Sequence, residues 1–215
     1  MTKEIEMYLS RLVLDPRARV VQRDLADRYE LHRTVMSGFG DPLPDDERVL
    51  FRVEQPRGDD LLLLVQSQHA PDWSALPDGY LCAPDPFSLP ENPAVKRFVL
   101  PLQAGQTLRF RLRANVTVKR DGKRHGLYRE EDQRAWLARK GQQGGFRPTD
   151  VWIGREGSLG GWRKTDDKAQ RLTLFVVQFD GLLRVENAEA LREQTAQGIG
   201  PAKAFGCGLL SLAPA

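Results

Sequence analysis

Apolar and polar positions alternate along the chain in a way that predicts strands and helices in turn. Met7 to Leu14 (MYLSRLVL) has the aliphatic and β-branched content of a strand, and Asp15-Pro16 closes it. A helix is expected next. Asp27 with Glu30 three positions on has the form of an N-terminal capping box, and Leu31, Val35, Met36 and Phe39 then recur at helical spacing, with Gly38 and Gly40 ending the run. Arg48 to Glu54 and Leu61 to Gln68 read as a hairpin turned at Pro56, Gly58 and Asp59. The proline-rich stretch 69–94 resists regular structure apart from a short helix around Trp73 to Leu76, and Val95 to Leu102 is expected to close a first sheet. This β-α-β-β-(α)-β order is the ferredoxin-like pattern, in which helices cover one face of an antiparallel sheet.

The second half repeats the order. Leu108 to Lys119 (LRFRLRANVTVK) alternates strongly, with Leu108, Phe110 and Leu112 on one face and Arg109, Arg111 and Arg113 on the other. Glu130 to Lys140 (EEDQRAWLARK) is a helix with acids early and bases late, in accord with its dipole, and Gly141 is expected to stop it. Asp150 to Gly154, Leu159 to Lys164 and Arg171 to Phe179 supply three strands, Asn187 to Gln197 a helix and Gly208 to Leu212 a last short strand. The fold class is therefore α+β, with two tandem ferredoxin-like domains at 1–104 and 105–215. Length agrees, since 215 residues suit two domains of about 100 each.

Composition removes several classes of function. The longest apolar run, Leu61 to Val65, has five residues against the ~18 that a membrane span needs, so no membrane partner is expected. The N-terminal segment lacks the features of a secretory signal, which makes a cytoplasmic location the expectation. Cys82 and Cys207 are too few and too distant for a disulfide framework or a cysteine zinc site and are expected to be buried. None of the three histidines has a histidine or cysteine neighbour at helical spacing, so neither a metal nor a cofactor is expected, and Walker, GxSxG and HExxH motifs are missing. Charge is lopsided: residues 1–104 carry a net of −5 and 105–215 a net of +8. Seven basic residues and one acid between Arg109 and Arg124 point the second half toward a polyanion, and a stripe of aligned guanidiniums suits a phosphate backbone.

Two stretches carry candidate chemistry. Arg28-Tyr29-Glu30-Leu31-His32-Arg33 places Tyr29 and His32 three apart on one helix face, with cations and the free amides of a first turn beside them, an arrangement that suits a phosphate. Spacing by itself favours a buried, purely structural His32, because an ideal wheel places it within the arc of Leu31, Val35, Met36 and Phe39. His69 reads as structural, and His125 as facing solvent or RNA. The second stretch runs from Gly198 to Gly208, with four glycines in eleven residues and Lys203 among them. It suits either close approach to phosphates or tight packing on the sheet.

The segments RDLADRYELHRTV, QHAPDWSALPDGY, LRFRLRAN, AWLARKGQQGGF and GIGPAKAFGCGLLSLAP, in this order over nearly the whole chain, resemble the CasE family of CRISPR RNA-processing endoribonucleases. That resemblance implies RRM-like domains of the RAMP superfamily acting without a metal on the stem-loop of precursor CRISPR RNA, with retention of the mature CRISPR RNA and assembly with other Cascade protein subunits. It implies a catalytic role for His32, a partner role in positioning or proton transfer for Tyr29 and a phosphate contact for Arg33. The basic stretch Gly160 to Lys168 matches the family's hairpin in position, with Arg163, Lys164 and Lys168 as contacts, although Asp166 and Asp167 would repel phosphate. Arg109, Arg111, Arg113, Lys119, Gly200, Lys203 and Gly206 complete the expected RNA surface. Two other classes stay open: a non-catalytic RNA-binding subunit of a CRISPR ribonucleoprotein, and a DNA-binding protein using the same basic face.

Overall fold

The computed structural model describes residues 5–55, 61–87, 89, 91–165 and 168–215, and gives the backbone path alone for 155–156, 158–165 and 168–173. Alternation in the first half produces β1 (Glu6–Leu14), β2 (Leu50–Glu54), β3 (Leu61–Ser67) and β4 (Ala94–Val99), paired antiparallel in the order β2-β3-β1-β4. The inward set, including Leu12, Leu14, Phe51, Leu63 and Val65, packs against Val21, Leu31 and Val35 of two helices, α1 (Arg19–Ala26) and α2 (Arg28–Met36). The expected helix is α2, and Asp27 caps it as the sequence pattern predicts: its backbone is extended (φ −124°, ψ 107°) and its carboxylate accepts from the Tyr29 amide at 3.0 Å, whereas α1, just before it, was not expected. The capping residue read in the sequence thus opens a new helix, and Tyr29 and His32 lie in its first turns.

The second sheet has the order β10-β5-β9-β8, built from β5 (Thr107–Asn115), β8 (Phe146–Thr165), β9 (Lys168–Val185) and β10 (Leu210–Pro214). Numbering the main strands within each half, both sheets run fourth-first-third-second with every pair antiparallel, the ferredoxin-like arrangement. Helices α3 (Glu130–Gln143) and α4 (Ala188–Gln197) cover one face through Trp136, Leu137 and Leu191, against Phe110, Leu112, Val177 and Phe179. A small hairpin of β6 (Thr117–Arg120) and β7 (Lys123–Gly126) follows β5 and carries His125, exposed.

Several expected boundaries shift. Leu108 to Lys119 is not one strand, because the ladder with β9 ends at Asn115 and Val116 is buried between β5 and β6. Asp150 to Gly154 and Leu159 to Lys164 belong to one strand; register shifts at Pro148/Asp150 and Arg155/Gly157 absorb the extra residues, and Gly157 (φ +85°) sits at the second. Gly141 does not end α3. It is a glycine because β8 starts against it: a Cβ there would lie 2.4 Å from the Phe146 carbonyl oxygen. The helix ends at Gln143, and Gly145 (φ +70°) redirects the chain. The last strand begins after Gly208 rather than at it, since φ +93° is not extended backbone. Cys207 is buried and Cys82 half-buried, and the turn Pro56, Gly58, Asp59 lies outside the described residues.

Candidate active site and nucleic-acid interface

In α2, Leu31 and Val35 are fully buried and fix which side of the helix faces the core. His32, beside Leu31, is half-buried at the border of that face, and its ring stacks on Phe51 of β2 with centroids 6.2 Å apart and planes at 18°. Its Nδ1 is buried and makes no hydrogen bond, and burial pushes its pKa below the ordinary 6.5. Burial thus favours the neutral imidazole over the charged one. Tyr29, one turn earlier, is half-buried. Arg33 is exposed and makes an ion pair at 3.3 Å with Glu30, a contact of little energetic weight that a phosphate would displace.

The glycine-rich segment reaches the same place from the other half. Its short 3-10 turn, Lys203 to Phe205, packs on α2 and on β2. Gly206 (φ +80°) lies against Phe51, where an added Cβ would come within 3.3 Å of Cε2. Phe51 is therefore a neighbour of both His32 and Gly206. Gly200 (φ +80°) is held against the Trp136 ring of α3, with 3.0 Å available to a Cβ. Both glycines are tightly packed, and the turn between them lies against the helix that carries His32.

Lys203 is half-buried, and its pKa is pushed down by burial and further by the charges of Arg48 and Lys140. These two cations were not recognisable beforehand. Arg48 precedes β2 among three acids, and Lys140 looked like an ordinary dipole-matched residue at a helix end. Folding collects them because Leu50 of β2 lies against Gly198, whose Cβ would also meet Lys203 Cε at 3.0 Å.

The arginine stripe of β5 has three different surroundings. Arg109 is exposed and donates to the Pro214 carbonyl at 2.8 Å. Arg111 is divided between Asp180 (2.6 Å) and Glu54 (3.2 Å), and Arg113 is buried. A cleft of about 630 Å³ lies here between the halves, lined by Arg28, Glu54, Arg111, Arg113 and Gln178. Lys119 is exposed on the β6-β7 hairpin, far along the chain from α2. Arg163, Lys164 and Lys168 lie at the end of the long β8-β9 hairpin, opposite Gln170, Ala169 and Thr165, and its tip residues Asp166 and Asp167 fall outside the described residues.

Arg52 escaped the sequence reading altogether. Its guanidinium, 1% exposed, crosses from β2 to the second half and donates to Glu54 (2.7 Å), the Leu209 carbonyl (2.9 Å) and Ser211 Oγ (2.7 Å). Gln66 makes a second crossing to the Thr195 carbonyl at 2.9 Å. These contacts hold α2, Phe51 and the glycine-rich loop in one frame. His69 is tied to Glu47 at 2.8 Å.

An imidazole that can take or give a proton, a tyrosine one turn away and several cations form a site suited to a phosphodiester near neutral pH. Comparison with known proteins points the same way. A family profile described as "CRISPR associated protein" matches residues 7–214. The CRISPR-associated endoribonuclease Cse3 of Thermus thermophilus is 39% identical over 222 residues, covering 97% of this chain and 100% of that one. The Cascade subunit CasE of Escherichia coli is 35% identical over 225 residues, with 97% and 100% covered. A solved structure of Thermus thermophilus Cse3, bound to an RNA representing a pre-cleavage complex, superposes with a TM-score of 0.82 at 36% identity, covering 97% of this chain and 100% of that one.

Proposed function

This chain belongs to the CRISPR-associated protein family, and we propose from that premise that it is the endoribonuclease that cuts precursor CRISPR RNA at the repeat stem-loop. The RNA's 2′-hydroxyl gives up its proton and attacks the adjacent phosphorus. The new O2′–P bond forms as the P–O5′ bond breaks, and the departing 5′-oxygen takes up a proton. The products are a 2′,3′-cyclic phosphate and a 5′-hydroxyl end. No metal is required by this route, because proton transfer and charge stabilisation are both within reach of side chains.

His32 carries the proton transfer, with Tyr29 positioning or relaying and Arg33 and Lys203 meeting the charge that builds on the phosphorane oxygens. The observation that carries the assignment is the stacking of a half-buried His32 on Phe51, a ring that the glycine-rich loop also approaches at Gly206. In this reading residues 1–104 supply the catalytic helix and 105–215 most of the RNA contacts: Arg109, Arg111, Arg113, Lys119, Arg163, Lys164, Lys168, Gly200 and Gly206. A basic hairpin such as β8-β9 can enter the groove of an A-form stem near its end, where a helix cannot. The product stays bound, and the protein joins other Cascade subunits in the cytoplasm.

The test is incubation in EDTA with a labelled cognate repeat hairpin, beside His32→Ala and a hairpin with one 2′-deoxy nucleotide at the cut. A single cut that disappears with either change while binding survives is the expected result. Tight binding without a cut in any lane would instead leave a non-catalytic RNA-binding subunit.

A further inference from the structure

The face of the second sheet that α3 and α4 leave open carries an aromatic residue with no role in the site described above. Trp152 of β8 is 80% exposed. Register places it in a row with Asp180 of β9, Arg111 of β5 and Ser211 of β10, so all four project from the same open face. The next residue of β8 on that face is Gly154, whose position leaves open room, with no atom nearer than 3.9 Å to an added Cβ. The indole therefore has unoccupied space along the strand beside it. A hollow of about 730 Å³ is lined by Trp152, Gly154, Asp180, Leu182, Arg109 and Arg111.

Arg111 lines both this hollow and the interdomain cleft, so the two adjoin at that residue. The cleft in turn reaches Arg28, the first residue of α2, one turn before His32. The groove so formed starts at the helix of the active site, runs over the Gln178–Arg113 row and ends at an uncovered tryptophan. Among the described residues, four arginines (28, 109, 111 and 113) line it against two carboxylates, Glu54 and Asp180. That balance favours a polyanion over an apolar peptide, and a tryptophan face beside arginines is what unpaired bases stack on.

We propose that this groove binds the unpaired nucleotides that flank the repeat stem next to the scissile bond, with one base stacked on Trp152 and backbone phosphate at Arg109. The proposal rests on the ribonuclease reading and adds to it a single-stranded track separate from the stem contacts. It makes Trp152 a specificity residue for RNA carrying a flank, with no part in the chemistry.

The test compares two cleavage-blocked RNAs, each with a 2′-deoxy nucleotide at the cut: the repeat hairpin trimmed to its stem, and the same hairpin with its single-stranded flank. Trp152→Ala is expected to weaken binding of the flanked RNA about tenfold and to leave the trimmed hairpin unchanged, with Trp152→Phe recovering most of the loss. Arg109→Gln should lower the salt slope more for the flanked RNA than for the trimmed hairpin. Equal effects on both RNAs, or none on either, would overturn the assignment. So would unchanged RNA binding by Trp152→Ala together with lost co-purification of neighbouring subunits, which would make the patch a protein contact. Wild-type cleavage of the unmodified hairpin is scored separately, so a failure of the ribonuclease reading is visible whatever the flank does.

Discussion

Replacing Arg52 by methionine keeps most of the side-chain volume and removes a guanidinium that joins the two halves of the molecule. Its charge is held at a cost, since burial lowers its pKa despite the opposing effect of Glu54. Removing the charge therefore recovers some desolvation energy. What is lost is larger. The Leu209 carbonyl and Ser211 Oγ, bonded at 2.9 and 2.7 Å, would be left without this partner, and each such orphaned group costs about 1–3 kcal/mol. Glu54 would keep Arg111 at 3.2 Å, so its charge is not stranded. The sum falls near the lower end of the range for breaking a buried pair, about 3 kcal/mol. For a chain of this size that is a drop of roughly 6–12 °C in Tm. Urea and thermal denaturation followed by circular dichroism would measure it. Arg52→Lys, which can reach one partner but not three, should lose about half as much. Because Leu209 immediately follows the glycine-rich loop, single-turnover cleavage should slow as well. A loss below about 1 kcal/mol for Arg52→Met would show that the crossing contacts do not fasten the halves, and would refute the reasoning.

Other outcomes follow from the same structure. Burial lowers the His32 pKa, so the unfolded chain binds its proton at a higher pH than the folded one; the stability that depends on neutral His32 is complete above the ordinary 6.5 and is lost as pH falls through the folded pKa. Urea midpoints between pH 7.5 and 5 should accordingly fall more steeply for the wild type than for His32→Gln, and parallel curves would count against a buried neutral imidazole. Gly141→Ala separates local from tertiary control: helix propensity predicts a gain of about 1 kcal/mol, whereas a Cβ 2.4 Å from the Phe146 oxygen predicts a loss of about 1–3 kcal/mol, readable as a lowered Tm. Gly206→Ala should cost about 1–2 kcal/mol for its left-handed backbone. It should also slow cleavage more than it weakens RNA binding, because the new methyl crowds Phe51, the ring on which His32 stacks. Unaltered single-turnover rates in that variant would detach Phe51 from the catalytic geometry.

Local chemistry was legible in the order of residues. The period-2 runs at β1, β3 and β5, the capping aspartate before α2 and the dipole-matched charges of α3 each state a short-range preference, and together they define the element order and hence two ferredoxin-like halves. The pairing of Tyr29 with His32 followed from the helix repeat alone. Boundaries were less secure where a contact distant in sequence decided them. Gly141 carries a stop signal, yet helix α3 runs through it, since what requires a glycine there is the carbonyl of Phe146 rather than the helix end.

The functional site divides along the same line. Residue types and motif order carried the family resemblance, and with it His32 as a candidate. Whether that histidine was a core residue or a reactive one could not be settled by a helical wheel, because the wheel contains no Phe51 and no Gly206. Both arrive from other strands and loops, 19 and 174 positions downstream. The arginines of β5 were visible as a stripe, but their division among an exposed Arg109, an ion-paired Arg111 and a buried Arg113 depends on Asp180 and Glu54 brought in from other strands. Arg48, Lys140 and Arg52 were unremarkable as letters in a row. Their importance comes from partners assembled by the fold, since burial and the electrostatics it creates are properties of neighbours in space that a one-dimensional pattern does not record.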